Sequence, residues 1–247
     1  MNSVLSELTT GATTTASGNN TIKVHSAISL SEGQLIQNII RSIDPTITLE
    51  IGLAYGVSAL FICDALNIRN STQHILIDPL QNSGDYWDGI GIANLYRAGY
   101  SNIVRLIEAP SYRALAKLER SGQRIDFAFI DGWHTFDFAL VDFFYIDRML
   151  NVGGVVAFDD ADWPAIRKVC RFVKTNLAYS ILGTDGFDPK HSLKRQLSEY
   201  LLRHTPFRRL LRPEVVAPNE SIGLGGSCIA FRKDADDNRR WDHFVDF

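Results

Sequence analysis

The chain has 247 residues, of which 45% are hydrophobic and 21% charged, so it can bury one sizeable core. Its formal net charge of −3 argues against a nucleic-acid partner, because a phosphate-binding surface usually makes a domain basic. The sequence contains no run of about 18 apolar residues, so no membrane-spanning helix and no membrane partner are predicted.

The cysteines and the N-terminal stretch bear on compartment and domain boundaries. Cys63, Cys170 and Cys228 lie far apart without metal-ligand spacing, which is typical of buried thiols in a reducing compartment. Because the N-terminus also shows no signal-peptide pattern, we expect a cytoplasmic protein. Residues 1–20 are rich in Ser, Thr, Gly and Asn, which predicts a mobile tail before a single domain at 21–247.

From Ser29 onward, the hydrophobic pattern predicts alternating helices and strands. Ser31 can cap a first helix, and its apolar residues share one face. Asp162 has the position of a second helix cap, just before a proline suited to a first helical turn. The helical face comprises Leu35, Ile36, Ile39, Ile40 and Ile43; the predicted strands are 46–53, 74–78, 102–109, 125–131 and 155–160, and the helices between and after them are 58–66, 93–100, 111–121, 138–150 and 164–176.

Short apolar strands separated by amphipathic helices predict an α/β fold, a doubly wound and mostly parallel sheet with helices on both faces. The segments 178–183 and 226–233 look like a terminal antiparallel strand pair. Between them, residues at about 186–220 are rich in Lys and Arg and predict a helical insertion. Its charge fits either a solvated helix face or a surface that attracts an anionic substrate or a partner.

Polar residues cluster where the predicted strands end, and active sites of such sheets lie beyond the carboxyl ends of their strands. The first strand runs into a turn with Gly52 and Gly56, and glycines there allow a tight turn and a close backbone approach to a ligand. Asp78 ends the second strand, where a carboxylate can accept hydrogen bonds from ribose hydroxyls. Together these features predict a nucleoside-binding site. The spacing is not GxGxxG, which disfavours a nicotinamide dinucleotide.

The motifs LEIGLAYGVS, LIDP, FAFIDGWH and AFDD resemble those of the class I S-adenosylmethionine-dependent methyltransferases. The resemblance covers roughly residues 30–180 and is closest to the branch of catechol and caffeoyl-CoA O-methyltransferases and their bacterial small-molecule relatives. It implies a Rossmann-like methyltransferase fold with a mostly parallel seven-stranded sheet and a terminal antiparallel pair. It also implies a small-molecule methyl acceptor, and it allows for a homodimer.

The same resemblance implies how S-adenosylmethionine is bound. Gly52 and Gly56 would flank its methionine part, with Ser58 near the carboxylate. Glu50 would lie under the cofactor, and Asp78 would hold the ribose. The resemblance implies two further contacts, Ser111 beside the adenine and Asp131 at the end of the fourth strand.

Carboxylates at adjacent strand ends also suggest a metal. Asp131 closes the fourth strand, and Asp159 and Asp160 close the fifth. Neighbouring strands lie about 4.7–4.9 Å apart, so such carboxylates can reach one hard divalent cation. The related O-methyltransferases use a similar pattern, and by that resemblance these three residues would hold Mg²⁺. An aspartate after a strand can instead simply cap a turn.

His134, three residues after Asp131, could take the proton from an acceptor hydroxyl, since its ordinary pKa lies near neutrality. A lone histidine in a loop can equally serve as a simple hydrogen-bonding residue. Four aromatic residues near the strand ends could wall an acceptor pocket or merely pack the loops. They are Tyr86, Trp87, Trp133 and Trp163.

Four hypotheses follow for the function. The first is methyl transfer to a substrate oxygen with help from a divalent metal, Asp131 and His134. The second keeps the cofactor, omits the metal and uses His134 as the base. A nicotinamide-dependent dehydrogenase is the third and lacks the expected glycine motif. The fourth is a non-catalytic methyltransferase-like scaffold.

Overall fold

The computed structural model describes residues 2–14, 21–186 and 219–247. Within these ranges the helices and strands alternate as predicted and build one seven-stranded sheet plus a short hairpin. The helices are α1 Ser3–Thr9, α2 Leu30–Ile43, α3 Val57–Ala65, α4 Ile90–Arg97, α5 Ser111–Arg120, α6 Phe136–Met149 and α7 Pro164–Asn176. The strands are β1 Ala12–Thr14, β2 Thr21–Lys23, β3 Ile47–Ile51, β4 Gln73–Ile77, β5 Val104–Ile107, β6 Ile125–Ile130, β7 Leu150–Phe158, β8 Tyr179–Thr184 and β9 Ile229–Lys233.

The strand order in the large sheet is β5-β4-β3-β6-β7-β9-β8. The first five strands in this order are parallel, and β9 runs antiparallel to both β7 and β8. This confirms the predicted class, a doubly wound, mostly parallel sheet with a terminal antiparallel pair. The order reverses direction on either side of β3, and the crevice at such a switch point is where open α/β sheets bind ligands.

The five parallel strands end in register. One row of paired residues crosses all of them, so the residue that follows each strand emerges at the same edge of the sheet. The row consists of Ile107, Ile77, Ile51, Ile130 and Phe158. The next residues are Glu108, Asp78, Gly52, Asp131 and Asp159, which is the physical reason that the polar strand ends meet.

Helices cover both faces of the sheet and divide the core into two layers. Side chains of successive strand residues point to opposite faces, so in β6 Phe127 and Phe129 enter one layer while Ala128 and Ile130 enter the other. The first layer packs under α1 to α4, and the second packs under α5 to α7. Cys63, Cys170 and Cys228 are buried free thiols in these layers, as predicted.

The N-terminal stretch differs from the expected tail. Ser3–Thr9 forms a helix whose Val4, Leu5 and Leu8 are buried in the first core layer. Asn2 caps this helix and also binds Asp64 of α3 through its backbone N–H at 3.1 Å. Three apolar residues spaced along one helical face suffice to attach the segment. The expectation of a mobile tail rested on the Ser, Thr and Gly content of the stretch and overlooked this pattern.

Two predicted helix caps are wrong. Ser29, not Ser31, caps α2, because its hydroxyl accepts the Glu32 N–H and the Glu32 carboxylate accepts the Ser29 N–H, a capping box. Trp163, not Asp162, precedes α7 as the cap residue, and it makes no side-chain cap bond.

The predicted insertion at about 186–220 lies almost entirely outside the described residues. The strands that flank it, β8 and β9, pair antiparallel with a register shift between Ile181 and Gly183. In the part of the chain that the structure describes, no helix combines the length and the apolar character needed to cross a membrane.

Candidate active site

The glycine turn after β3 is built around a backbone contact. Gly52 has φ +88°, and a Cβ there would lie 1.9 Å from the Asp131 carbonyl oxygen at the end of β6. Gly56 has φ +82° and precedes α3 as its N-cap residue, without a side-chain cap hydrogen bond. Only glycine fits at residue 52, so the backbone of the turn can pack directly against the backbone at the end of β6.

Asp78 holds the same turn from the other side. Its Oδ2 accepts the backbone N–H groups of Leu53 at 3.1 Å and Ala54 at 3.2 Å, and its Oδ1 accepts that of Leu80 at 2.8 Å. A carboxylate has about four acceptor positions, so Asp78 can order the turn and still accept hydrogen bonds from a ligand.

These elements enclose a cavity of about 360 Å³ beyond the strand ends, which lies in the size range of small-molecule sites. Of the site residues predicted from the sequence, Gly52, Asp78, Ser111, Asp131 and His134 line it. The other lining residues are Ser26, Ile51, Ala54, Ile77, Pro79, Leu80, Tyr86, Trp87, Pro110, Gly132, Trp133 and Phe138.

Glu50, Gly56 and Ser58 are not among the residues that line this cavity. Glu50 is fully buried in β3, where it accepts the Ser58 hydroxyl and pairs with His74 Nε2 at 3.0 Å. The Ser58 hydroxyl therefore bonds to Glu50 below the turn. Direct cofactor contact by these three residues stays a prediction, and the geometry gives Glu50 and Ser58 a supporting place beneath the cavity floor.

His74 was missed by the sequence reasoning. It is fully buried in β4 and joins Glu50 to Thr48 Oγ1, which lies 2.8 Å from its Nδ1. The available signal was a histidine within a buried strand, and the register pairs it with Thr48 of β3. This network satisfies the buried carboxylate of Glu50.

A second polar group lies at the ends of β6 and β7. His134 Nδ1 is 3.3 Å from Asp160 Oδ2, and His134 Nε2 is 4.0 Å from Asp131 Oδ1. One ligand atom from each of these residues lies within 4.8 Å of the others, so the three could hold one cation. Asp160 has φ +47°, a left-handed conformation that aspartate tolerates better than most residues.

Asp159 does not belong to this group. Burial, followed by the charge of Glu32, raises the pKa of Asp159 to about 8. Glu32 in turn accepts the Ser227 hydroxyl at 2.5 Å. The grouped residues therefore differ from the predicted ligand set of Asp131, Asp159 and Asp160, because His134 is in the group and Asp159 is not. Which residues hold a metal ion stays a prediction.

The electrostatics of this edge of the sheet favour a cation. Burial, followed by the charges of Asp159 and Glu50, holds the pKa of Asp131 well above its usual range. The pKa of Asp160 is also raised, mainly by burial. A divalent cation would relieve this clustering of negative charge, and two carboxylates with one imidazole suit a hard to borderline divalent ion.

Three of the four aromatic residues singled out from the sequence line the cavity, and the fourth does not. Tyr86, Trp87 and Trp133 line the cavity, and Trp133 leaves 64% of its surface exposed. Trp163 is not among the lining residues, and its ring centre lies 5.3 Å from that of His134. The Trp163 indole therefore lies outside the cavity and beside His134, where it could contact a molecule bound near that histidine.

Comparison with known families places this site in context. Residues 49–161 match a family model described as a methyltransferase domain. A putative caffeoyl-CoA O-methyltransferase of Arabidopsis thaliana is 26% identical over 137 residues, 55% of each chain. The caffeoyl-CoA O-methyltransferase of Stellaria longipes is 27% identical over 137 residues, 53% of this chain and 52% of its own. The chain thus spans about half the length of the curated relatives it matches.

Solved structures show the same fold. The O-methyltransferase from Bacillus cereus in complex with S-adenosylhomocysteine aligns with a TM-score of 0.59 and 18% identity, over 73% of this chain and 83% of its own. The O-methyltransferase TomG from Streptomyces achromogenes, in complex with S-adenosylmethionine, aligns with a TM-score of 0.54 and 20% identity, over 63% and 73%. At these identities the likeness establishes the Rossmann-like methyltransferase fold.

Proposed function

We propose that this chain is a class I methyltransferase that transfers the methyl group of S-adenosylmethionine to an oxygen of a small molecule. The match of residues 49–161 to a methyltransferase domain and the shared fold support this proposal. The observation that carries the proposal is the cavity of about 360 Å³ in which Gly52, Asp78 and Ser111 come together at the switch point of the sheet. The named relatives are O-methyltransferases, which supports oxygen as the acceptor atom.

The cofactor half of the site would be formed by the glycine turn, Asp78 and the start of α5. Asp78 is buried and fixed by three backbone N–H groups, so it presents a preorganised carboxylate to ribose hydroxyls. Ser111 opens α5 and is suited to the adenine side. Bound S-adenosylmethionine would supply an electrophilic methyl group on its sulfonium.

The acceptor half would lie at Asp131, His134 and Asp160. These residues would hold a divalent cation, which would favour the ionised form of an acceptor hydroxyl. The acceptor proton would pass to solvent water, and the acceptor oxygen would attack the methyl carbon in line. The carbon–sulfur bond would break with its electron pair remaining on sulfur. The main contribution of the chain is to hold the two reactants in contact and in line.

A second mechanism is favoured by one specific distance. Asp160 Oδ2 lies 3.3 Å from His134 Nδ1, so the carboxylate can orient the imidazole as a base. His134 Nε2 would then take the acceptor proton without a metal. Activity that survives EDTA and is lost in His134→Ala selects this mechanism, whereas loss with EDTA and recovery with Mg²⁺ selects the metal.

The first test is isothermal titration of the metal-free protein with S-adenosylhomocysteine. We expect saturable binding to one site, weakened by about tenfold or more in Asp78→Asn, because a charge-assisted hydrogen bond to the ribose is lost. Asp126→Asn is the matched control, since its carboxylate binds the Thr46 and Ile47 N–H groups at the start of β3, the far end from the site. No binding by the wild-type protein would overturn the proposal.

A further inference from the structure

A hydrogen bond joins the glycine turn to the segment that precedes α2. The Tyr55 hydroxyl lies 2.9 Å from His25 Nε2. His25 Nδ1 lies 3.1 Å from the Ser26 hydroxyl, so both ring nitrogens are engaged. The bond links two segments 30 residues apart, each of which contributes a residue to the wall of the cavity.

Aromatic packing adds a third segment to this contact. The Trp87 ring centre lies 5.2 Å from that of Tyr55, at an interplanar angle of 75°, and 5.8 Å from that of His25. The His25 and Tyr55 rings meet edge to face at 5.1 Å. The loop before α4, the glycine turn and the segment before α2 therefore converge on one cluster, His25–Tyr55–Trp87.

The sequence neighbours of the two bonded residues have unusual backbone conformations. Ser26, next to His25, has φ +51°, and Ala54, next to Tyr55, has φ +46°. Left-handed backbone is unfavourable for these residue types and persists only where the surroundings enforce it. Both residues line the cavity, so the bond lies between two strained positions in its wall.

We infer that the His25–Tyr55 hydrogen bond is a positioning contact that holds Ser26 and Ala54 in their left-handed conformations and thereby sets the affinity for the cofactor. This inference rests on the proposed function. Preorganised walls bind tighter because the ordering cost is met before the ligand arrives. Tyr55 and His25 act through their neighbours, and Ser26 becomes an additional cofactor-side residue that the sequence motifs do not include.

The test compares S-adenosylhomocysteine affinities by isothermal titration. Tyr55→Phe keeps the ring packing against Trp87 and removes only the hydroxyl, so we expect affinity to fall about 3- to 10-fold. His25→Phe keeps a ring against Tyr55 and Trp87 but has no nitrogen to bond the hydroxyl, so its affinity should fall similarly. The double variant should fall no further than either single one, because the same bond is removed in all three. His25→Gln, whose amide can reach the hydroxyl, should restore most of the affinity.

Tyr179→Phe is the matched control. Its hydroxyl donates to Asp147 Oδ1 at 2.7 Å, away from the cavity, so it should lower the free energy of unfolding without weakening S-adenosylhomocysteine binding. Amide hydrogen exchange of the ligand-free proteins should also accelerate at residues 24–28 in Tyr55→Phe alone. Unchanged affinity in Tyr55→Phe, or an equal loss in Tyr179→Phe, would overturn the inference while leaving the proposed function intact. Absence of binding in the wild-type protein would instead remove both.

Discussion

The Asp131 carbonyl oxygen occupies the place that a side chain at residue 52 would need: a Cβ on Gly52 would come within 1.9 Å of it. The contact joins the turn after β3 to the end of β6, the two central parallel strands. It places the cofactor half and the acceptor half of the candidate site side by side.

Gly52→Ala should therefore abolish S-adenosylhomocysteine binding and destabilise the fold. The left-handed φ and the backbone clash together predict a loss of about 2–4 kcal/mol in the free energy of unfolding, measured by urea denaturation. Gly99→Ala is the control, because Gly99 has the same φ of +88° with nothing within 4 Å of its Cβ position. It should lose only about 1–2 kcal/mol and keep its affinity. Equal losses for both variants would contradict the contact with Asp131.

The metal hypothesis predicts an unequal effect of the two adjacent aspartates. Asp160→Asn and Asp131→Asn should weaken Mg²⁺ or Mn²⁺ binding by about 100-fold, and Asp159→Asn by less than about 10-fold. The reason is that the other two face His134, whereas Asp159 lies outside the group of ligand atoms, and burial and the charge of Glu32 raise its pKa. Calorimetric titration of each variant with the metal ion measures these affinities. A loss in Asp159→Asn as large as that in Asp160→Asn would restore the ligand set expected from the sequence.

Asp142 predicts a pH dependence of stability. Burial raises the pKa of this carboxyl group to about 6, and its Oδ1 has no hydrogen-bond partner in the described residues. The folded state binds the proton more tightly than the unfolded state, so this contribution is complete at acid pH. It is lost as the pH rises from about 4 through 6, by roughly 3 kcal/mol at 1.4 kcal/mol per pKa unit.

Asp142→Asn should reduce the slope between about pH 4 and 6 by this contribution, because the amide does not ionise, while the slope from the raised pKa values of Asp131, Asp159 and Asp160 remains. Urea denaturation at several pH values between 4 and 8 measures it, and Asp85→Asn, at an exposed carboxyl group, should leave the slope as in the wild-type protein. An unchanged slope in Asp142→Asn would mean that other groups govern the acid side of the stability curve.

The N-terminal helix α1 gives a prediction about domain integrity. Leu5 is 0% exposed in the first core layer, so Leu5→Ala should lower the free energy of unfolding by about 2–5 kcal/mol. Leu30→Ala, at a residue that is 52% exposed, should change it by about 0.5 kcal/mol or less. Chemical denaturation compares the two variants. Equal stabilities would show that α1 adds nothing to the core.

Much of the fold could be predicted because its signals are local. Apolar strands ending in Gly52, Asp78 and Asp131, separated by amphipathic helices, predict a parallel sheet with a polar edge, and the register of the strand ends confirms it. The cap at Ser29 was within reach of the same reasoning, since Ser29 and Glu32 form the capping-box pattern.

Features that depend on distant residues could not be read from local pattern. Whether the Ser58 hydroxyl faces a ligand or Glu50 depends on side-chain direction at the turn. The effect of Glu32 on the pKa of Asp159 depends on where α2 places Glu32. His25 belongs to no recognisable motif. It lies beside Tyr55 because of where the segment before α2 packs.

The sequence by itself determined the fold class, the glycine turn and the edge of the sheet at which the candidate site lies, because hydrophobic periodicity and strand-end residues act within a few positions of the chain. Only the tertiary structure decided which side chains face the cavity and which bond to one another. The division between Asp160, beside His134, and Asp159, beside Glu32, is of this second kind. Two adjacent residues of the same type differ there, since the Asp160 carboxylate lies 3.3 Å from His134 whereas, after burial, the charge of Glu32 acts most strongly on Asp159.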